Sequence, residues 1–242
     1  MQWYITSFVA HRPIERAEIF PSLEYWCLLT AEDNDLAYGK SLELAGGIVR
    51  GLTAEAGELW ILDGLSDLLV VADDPTESGN ELIWTEEEIH PNELTGLVTT
   101  KEKLLRIFRA DPAVRHDCSW YVCKLVFREI HDTGEHGNSV LVWTNAYIIR
   151  ATDEEAAYDL AIELGRKQAY ESGTHRCDGD VAHWEFEGLQ DLVQTIDAPR
   201  DGGILWFEKS DLSKEQLTAR IPGKAHLGAF ELEARRQPVE LK

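Results

Sequence analysis

The clearest pattern of apolar and polar positions begins at Trp120, where "WYVCKLVFREI" is apolar on both of its alternating faces and rich in β-branched and aromatic residues. That composition predicts a strand. The polar stretch "HDTGEHGN" contains two Gly and reads as a hairpin loop, after which "SVLVWTNAYIIRA" returns as a second strand. The period then changes. In "TDEEAAYDLAIELGRKQAYESG" the residues Ala157, Leu160, Ala161 and Leu164 make one helical stripe. Thr152 is placed to cap this helix, with Glu155 at the capping-box position. "HRCDGDVAH" reads as a solvated loop. "HWEFEGLQDLVQT" and "GGILWFEK" supply a third and a fourth strand, with Gly188 marking a bulge or bend.

The same order of elements stands earlier in the chain. Trp3-Tyr4 corresponds to Trp120-Tyr121, and "AEDNDLAYGKSLELA" from Ala31 aligns with "ATDEEAAYDLAIELG" from Ala151. "WILDGLSDLL" from Trp60 aligns with "WEFEGLQDLV" from Trp184, and "LIW" ending at Trp84 with "ILW" ending at Trp206. Four blocks in one order indicate a unit written twice. The first unit closes with a helix after Thr99 and Glu102, stopped by Pro112, and "ADPAVRHD" reads as a linker. The division is residues 1–110, a linker at 111–117, and residues 118–242. The fold class is α+β: two tandem β-β-α-β-β units, each an antiparallel sheet with a helix on one face.

A helix covers only one face of a sheet, whereas Tyr121, Cys123, Leu125 and Phe127 on one side are matched by Trp120, Val122 and Val126 on the other. The second face needs a cover, because large exposed apolar patches are rare on monomers. The other copy is the expected one, giving a pseudo-two-fold intramolecular dimer; a homodimer is the competing arrangement.

Composition narrows function more than it names it. With 44 Asp plus Glu against 23 Lys plus Arg, the net charge is −21. That charge disfavours nucleic acid and anionic membranes and would steer a basic protein partner. No apolar run reaches the ~20 residues of a membrane span, and the N-terminus has no basic leader, so a cytoplasmic location is expected. Cys27, Cys118, Cys123 and Cys177 form no CxxC and read as buried reduced thiols.

Catalytic signatures do not appear: there is no Walker loop, no G-x-S-x-G elbow and no H-E-x-x-H. His131, His136, His175, Cys177, Asp178, Asp180 and His183 have no metal-ligand spacing, and no metal or cofactor is expected. "TEEEIH", with Glu86, Glu87 and Glu88, reads as a solvated acidic turn and a speculative partner-binding site together with Trp120 and Lys124. Among the recurring residues, Trp60, Trp84, Trp184 and Trp206 read as core packing. Gly64 and Gly188 answer a backbone need, and Asp67 and Asp191 a structural turn. Lys124 stands where the first copy has Ser7.

The second copy resembles a bacterial family known as domain of unknown function 4288. The resemblance is carried by Trp120, Tyr121, Lys124, Leu125 and Phe127, then by Glu154, Glu155 and Ala156. It closes on Trp184, Phe186, Gly188, Leu189 and Asp191. The first copy follows more loosely through Trp3, Tyr4, Trp60, Gly64 and Asp67, and departs at the Lys. The resemblance implies a small intracellular bacterial protein and supplies no catalytic residues. The expectation is a non-enzymatic acidic protein-binding module, immunity- or defence-associated, with a basic partner. The alternative is a small-molecule binder or enzyme with its site where the two repeats join.

Overall fold

The computed structural model describes residues 1–109, 119–132, 139–177 and 180–236. The linker at 111–117, Pro112, Cys118, His136 and Asp178 lie outside the described residues. The first half runs β1 (Gln2–His11), β2 (Ile19–Ala31), α1 (Asn34–Ala56), β3 (Ile61–Val70), β4 (Asn80–Ile89), α2 (Pro91–Leu97) and α3 (Lys101–Arg109). The second runs β5 (Ser119–His131), β6 (Val140–Ala151), α4 (Glu154–Ser172), β7 (Thr174–Cys177), β8 (Asp180–Gln194), β9 (Ile204–Ser213), α5 (Lys214–Ala219) and α6 (Gly228–Arg236).

Local chemistry sets the boundaries, with some departures from expectation. The N-cap of α4 is Asp153, not Thr152: its carboxylate accepts from Ala156 N at 2.8 Å. Asp33 does the same for α1 through Leu36 N. Helix α3 begins at Lys101, because Thr99 N is held by Leu189 O at 2.7 Å and the turn starts on Thr100 O. The described residues of "HRCDGDVAH" are strands, where a loop was expected: β7 pairs with the start of β8, Thr174 opposite His183. "TEEEIH" is not a turn either. Glu86, Glu87 and Glu88 sit in β4, opposite Trp143, Val142 and Leu141.

The architecture is α+β with two antiparallel sheets, ordered β3-β1-β2-β9 and β4-β6-β5-β8-β7. Strand β9 lies on β2, and β4 lies on β6. The compact units are therefore Met1–Ala72 with Ile196–Lys242, and Asp73–Thr195. They cut across the division into 1–110 and 118–242 that the repeated blocks suggest. The reason is that β9 of the second half completes the sheet of β1–β3, and β4 of the first half completes the sheet of β5, β6 and β8.

In each unit one sheet face packs on the long helix. Tyr4, Phe8, Leu29 and Leu68 meet Ala37, Ala45 and Val49 of α1. Tyr121, Leu125, Ile149 and Leu192 meet Ala157 and Ala161 of α4. The opposite face is covered in part by the segment that follows the fourth strand. Leu94 of α2 packs with Val126, Val140 and Val142, and Leu217 of α5 with Val9 and Leu212. Those covers belong to the same compact unit as the sheet they protect.

The repeated Gly and Asp mark where these tails return. Gly64 has φ 153° and Gly188 φ 147°, each beside a β-bulge. A Cβ at Gly64 would lie 2.7 Å from Ile221 Cγ2, and one at Gly188 2.6 Å from Val98 Cγ1. Only glycine meets both demands at once. Asp67 Oδ1 accepts from Leu68 N at 2.8 Å and from Gly228 N at 3.1 Å, which seats the first residue of α6. Asp191 Oδ1 accepts from Leu192 N at 2.9 Å.

Gly188→Ala should cost about 1–3 kcal/mol, because it meets both positive φ and a close contact. Gly96→Ala, in open space on α2, should be neutral or stabilising by up to about 1 kcal/mol; urea denaturation distinguishes the two. Ending the chain after Thr195 removes β9, α5 and α6. Hydrogen exchange should then show lost protection across β1–β3 and retained protection across β5, β6 and β8.

Candidate functional site

Among the described residues strand β4 is an edge strand, paired only with β6. Alternation places Trp84, Glu86 and Glu88 on the face that carries α4, and Thr85 and Glu87 on the other. Because α4 packs over β5, β6 and β8, Trp84 through Glu88 remain exposed as five consecutive strand residues. Trp84 is 56% accessible. It is thus not the core residue its repeat position suggests, whereas Trp184 and Trp206 are buried and Trp60 is half-buried.

From Trp84 an aromatic row crosses the sheet. Its ring lies 5.7 Å from Trp143, Trp143 stacks on Trp184 at 4.0 Å, and Trp184 stacks on His175 at 5.8 Å. Trp143 Nε1 donates to Glu86 Oε2 at 2.6 Å, so a carboxylate is fixed beside the outermost rings. Glu129, 5% accessible, anchors the far end of the row. Its two oxygens meet His175 Nε2 at 2.6 Å and His131 Nε2 at 3.0 Å. Burial opposes ionisation of Glu129, but the two imidazole hydrogen bonds outweigh it and hold the carboxyl below its usual range.

At the opposite end of β4 the same face opens into a cleft of about 470 Å³ in the unit Asp73–Thr195. Glu81 lies opposite Tyr147 in the ladder, and its Oε2 accepts from Tyr147 Oη and Asn145 Nδ2, both at 2.9 Å. Burial pushes the Glu81 carboxyl up, and these two donors pull the other way without cancelling it. Asn145 Oδ1 is buried and has no hydrogen-bond partner among the described residues. Asp73, Glu163 and Lys167 add charge to the lining, and Ile149, Leu160 and Leu164 add apolar surface.

The residues expected to form one partner site do not all meet. Trp120 and Lys124 lie on the face opposite Glu86 and Glu88, on the side of Glu87. Lys124 stands opposite Asp191 in the β5–β8 ladder, as Ser7 stands opposite Asp67 in β1–β3. Arg150 lies over the Trp120 ring at 5.9 Å. Tyr4 is buried, with Oη donating to Asn34 at 2.9 Å; Tyr121 is buried in the α4-side core, and Trp3 is half-buried. Sequence reasoning missed Glu81, Trp143, Asn145 and the pairing of Glu129 with two histidines. A signal existed for two of them. Asn145 interrupts the apolar face of Leu141, Trp143, Tyr147 and Ile149, and Glu129 ends that of Tyr121, Cys123, Leu125 and Phe127.

The unit built on β1–β3 holds a second cavity, of about 550 Å³, with His11 Nδ1 at 2.9 Å from both oxygens of Asp63. The hydroxyl in its lining, Thr218, donates to Lys214 O, so it is engaged in its own helix. Among the described residues no three His, Cys, Asp or Glu side chains are arranged to hold a metal ion. Cys27 and Cys123 are buried free thiols, pushed up to about 12 by burial, which leaves them unreactive.

Residues 120–206 match the family model for a domain of unknown function, DUF4288. The matched segment runs from β5 into β9 and includes Trp120, Trp143, Trp184 and Trp206. It excludes β4, so Glu81, Trp84 and Glu86–Glu88 lie outside it. No curated protein and no solved structure matches the chain. Among the described residues no helix is long and apolar enough to cross a membrane.

The depressed carboxyl of Glu129 stabilises the fold above the ordinary carboxylate range of about pH 4.3, and that contribution is lost as pH falls through its folded value. Glu129→Gln leaves one imidazole N–H facing an amide N–H₂. The variant should lose about 1–3 kcal/mol at neutral pH. Urea titrations across the acid range should show its stability falling less steeply than the parent's.

Proposed function

We propose that this chain is a non-enzymatic protein-binding module of a bacterial cell, associated with immunity or defence, whose β4 strip docks a basic protein partner. The observation that carries this reading is an exposed Trp84 on an edge strand with Glu86 and Glu88 on the same face. An indole face attracts Lys and Arg side chains, and the adjacent carboxylates supply the counter-charge. The surrounding net charge of −21 steers a basic partner and repels a second copy of the same strand. That repulsion favours a hetero-partner over self-pairing through β4.

The two sequence blocks are, on this reading, tandem copies of one unit, each completed by the other's fourth strand. The orders β3-β1-β2-β9 and β8-β5-β6-β4 support it, as do the paired bulges at Gly64 and Gly188. The cleft at Glu81 favours a second reading, in which the chain takes a small ligand.

Immobilised protein should retain a basic protein from native lysate at low salt and release it at high salt. Trp84→Ala should weaken the purified interaction by about tenfold or more, the scale of an interface hot spot. Glu208→Gln, an exposed acid on β9, should leave it unchanged. Binding that ignores both salt and Trp84 would end the reading.

A further inference from the structure

The cavity beside His11 lies within the unit built on β1–β3 and brings an imidazole, an amine and apolar walls together. His11 Nδ1 sits 2.9 Å from both oxygens of Asp63, the bulge residue before Gly64. An ionised carboxylate only accepts, so Nδ1 carries the hydrogen and Nε2 is the acceptor of the neutral ring. The Phe20 ring lies 5.3 Å from the imidazole. Leu217 and Ile221 form an apolar wall, and Lys214 of α5 adds an ammonium to the same lining. The corresponding place in the other unit is chemically different. Arg128 stands two residues past Val126, the partner of Gly188, as His11 stands two past Val9, the partner of Gly64. Arg128 meets the bulge residue Glu187 and also Glu185, each at 2.7 Å. A guanidinium has donors and no lone pair to offer, so that pair is fixed. Imidazole and the shorter Asp63 leave instead a nitrogen that accepts, beside open volume.

We propose that this cavity binds a small carboxylic acid with a branched apolar body, held by Lys214 and His11 together. The ligand carboxylate gives Lys214 a counter-charge. His11 Nε2 needs a donor, which a carboxylate lacks, so binding draws one proton from solvent onto Nε2, and the imidazolium then donates to the ligand. The charges of Lys214, the imidazolium, Asp63 and the carboxylate then cancel. The charged groups that line the cavity with His11 are Asp63 from β3 and Lys214 from α5; β2 contributes only the Phe20 ring. Arg12, next to His11 in the chain, is taken by Glu58. A dianion such as phosphate would set more charge against Asp63 than one ammonium offsets, and an amine would meet Lys214 with like charge. The body of the ligand lies on Phe20, Leu217 and Ile221, the apolar part of a site with few polar groups. The inference goes beyond the docking reading and uses no residue of β4.

The test is isothermal titration calorimetry of the full chain with three probes of one carbon skeleton: isovalerate, isovaleramide and isopentylamine. Isovalerate should bind with a Kd on the order of 1 mM, as expected for a small ligand held by one head group. The amide should bind at least tenfold more weakly, and the amine should give no binding heat. Titrations in mildly alkaline buffers of different ionisation heat should show uptake of about one proton per isovalerate bound. Lys214→Gln changes an exposed residue, so the fold is retained; it should weaken isovalerate tenfold or more and leave the amide unchanged. His11→Gln keeps a donor for Asp63 and should abolish the proton uptake. Silence of isovalerate, equal binding of the amide or the amine, binding without proton uptake, or full binding by Lys214→Gln would each overturn the proposal.

Discussion

Strand closure at the outer edges of β2 and β6 is the constraint on which the rest of the structure depends. Each of these strands presents a row of backbone N–H and C=O groups that must find partners. The chain meets the need with strands from its opposite halves: β9, after residue 203, pairs with β2, and β4, before residue 90, pairs with β6. Neither three-strand set, β1–β3 or β5, β6 and β8, takes its fourth strand from its own half of the chain. The segment leading out of β3 must therefore enter the other unit at Asp73. The tails after β4 and β9 then lie back across the sheets they have joined, reaching Gly188 and Gly64.

The same constraint produces the candidate binding surface. Helix α4 packs on the strands of its own sequence block, whereas β4 is added beyond that footprint. Three of its helix-side residues, Trp84, Glu86 and Glu88, are consequently left exposed on the sheet. At one end the connection Asp73–Asn80 and the side of α4 close a cleft around Glu81. At the other end Trp84 and Trp143 lie open beside Glu86. One strand thus serves stability and the proposed recognition through different groups: its backbone holds β6, and its side chains from Trp84 to Glu88 stay exposed.

Much of the local structure was legible in residue order. The apolar runs at Tyr121–Phe127 and Leu141–Ile149 predict strands that form. The stripe Ala157, Leu160, Ala161 and Leu164 predicts a helix, and Gly188 a bulge. The acidic run at Glu86–Glu88 was misread because charge suggests a turn, whereas its strand conformation comes from pairing with β6, a contact distant in sequence. The Thr152 cap was misplaced by one residue because Asp153 reaches the Ala156 amide instead. Glu129 and Asn145 were visible as polar breaks in apolar faces. Their partners were not, since His175 lies 46 residues from Glu129 and Glu81 lies 64 from Asn145.

What the sequence by itself determined is the principal strands and the long helix of each block, the apolar faces, the acidic balance and the repeated Trp, Gly and Asp positions. These follow from short-range rules of period, capping and backbone freedom. Only the tertiary structure decided which edge each fourth strand would join, that Trp84 would be exposed while Trp206 is buried, and that Glu81 would share a cleft with α4. Periodicity specifies that a strand has two faces and two edges. It carries no information on which distant edge will satisfy its hydrogen bonds.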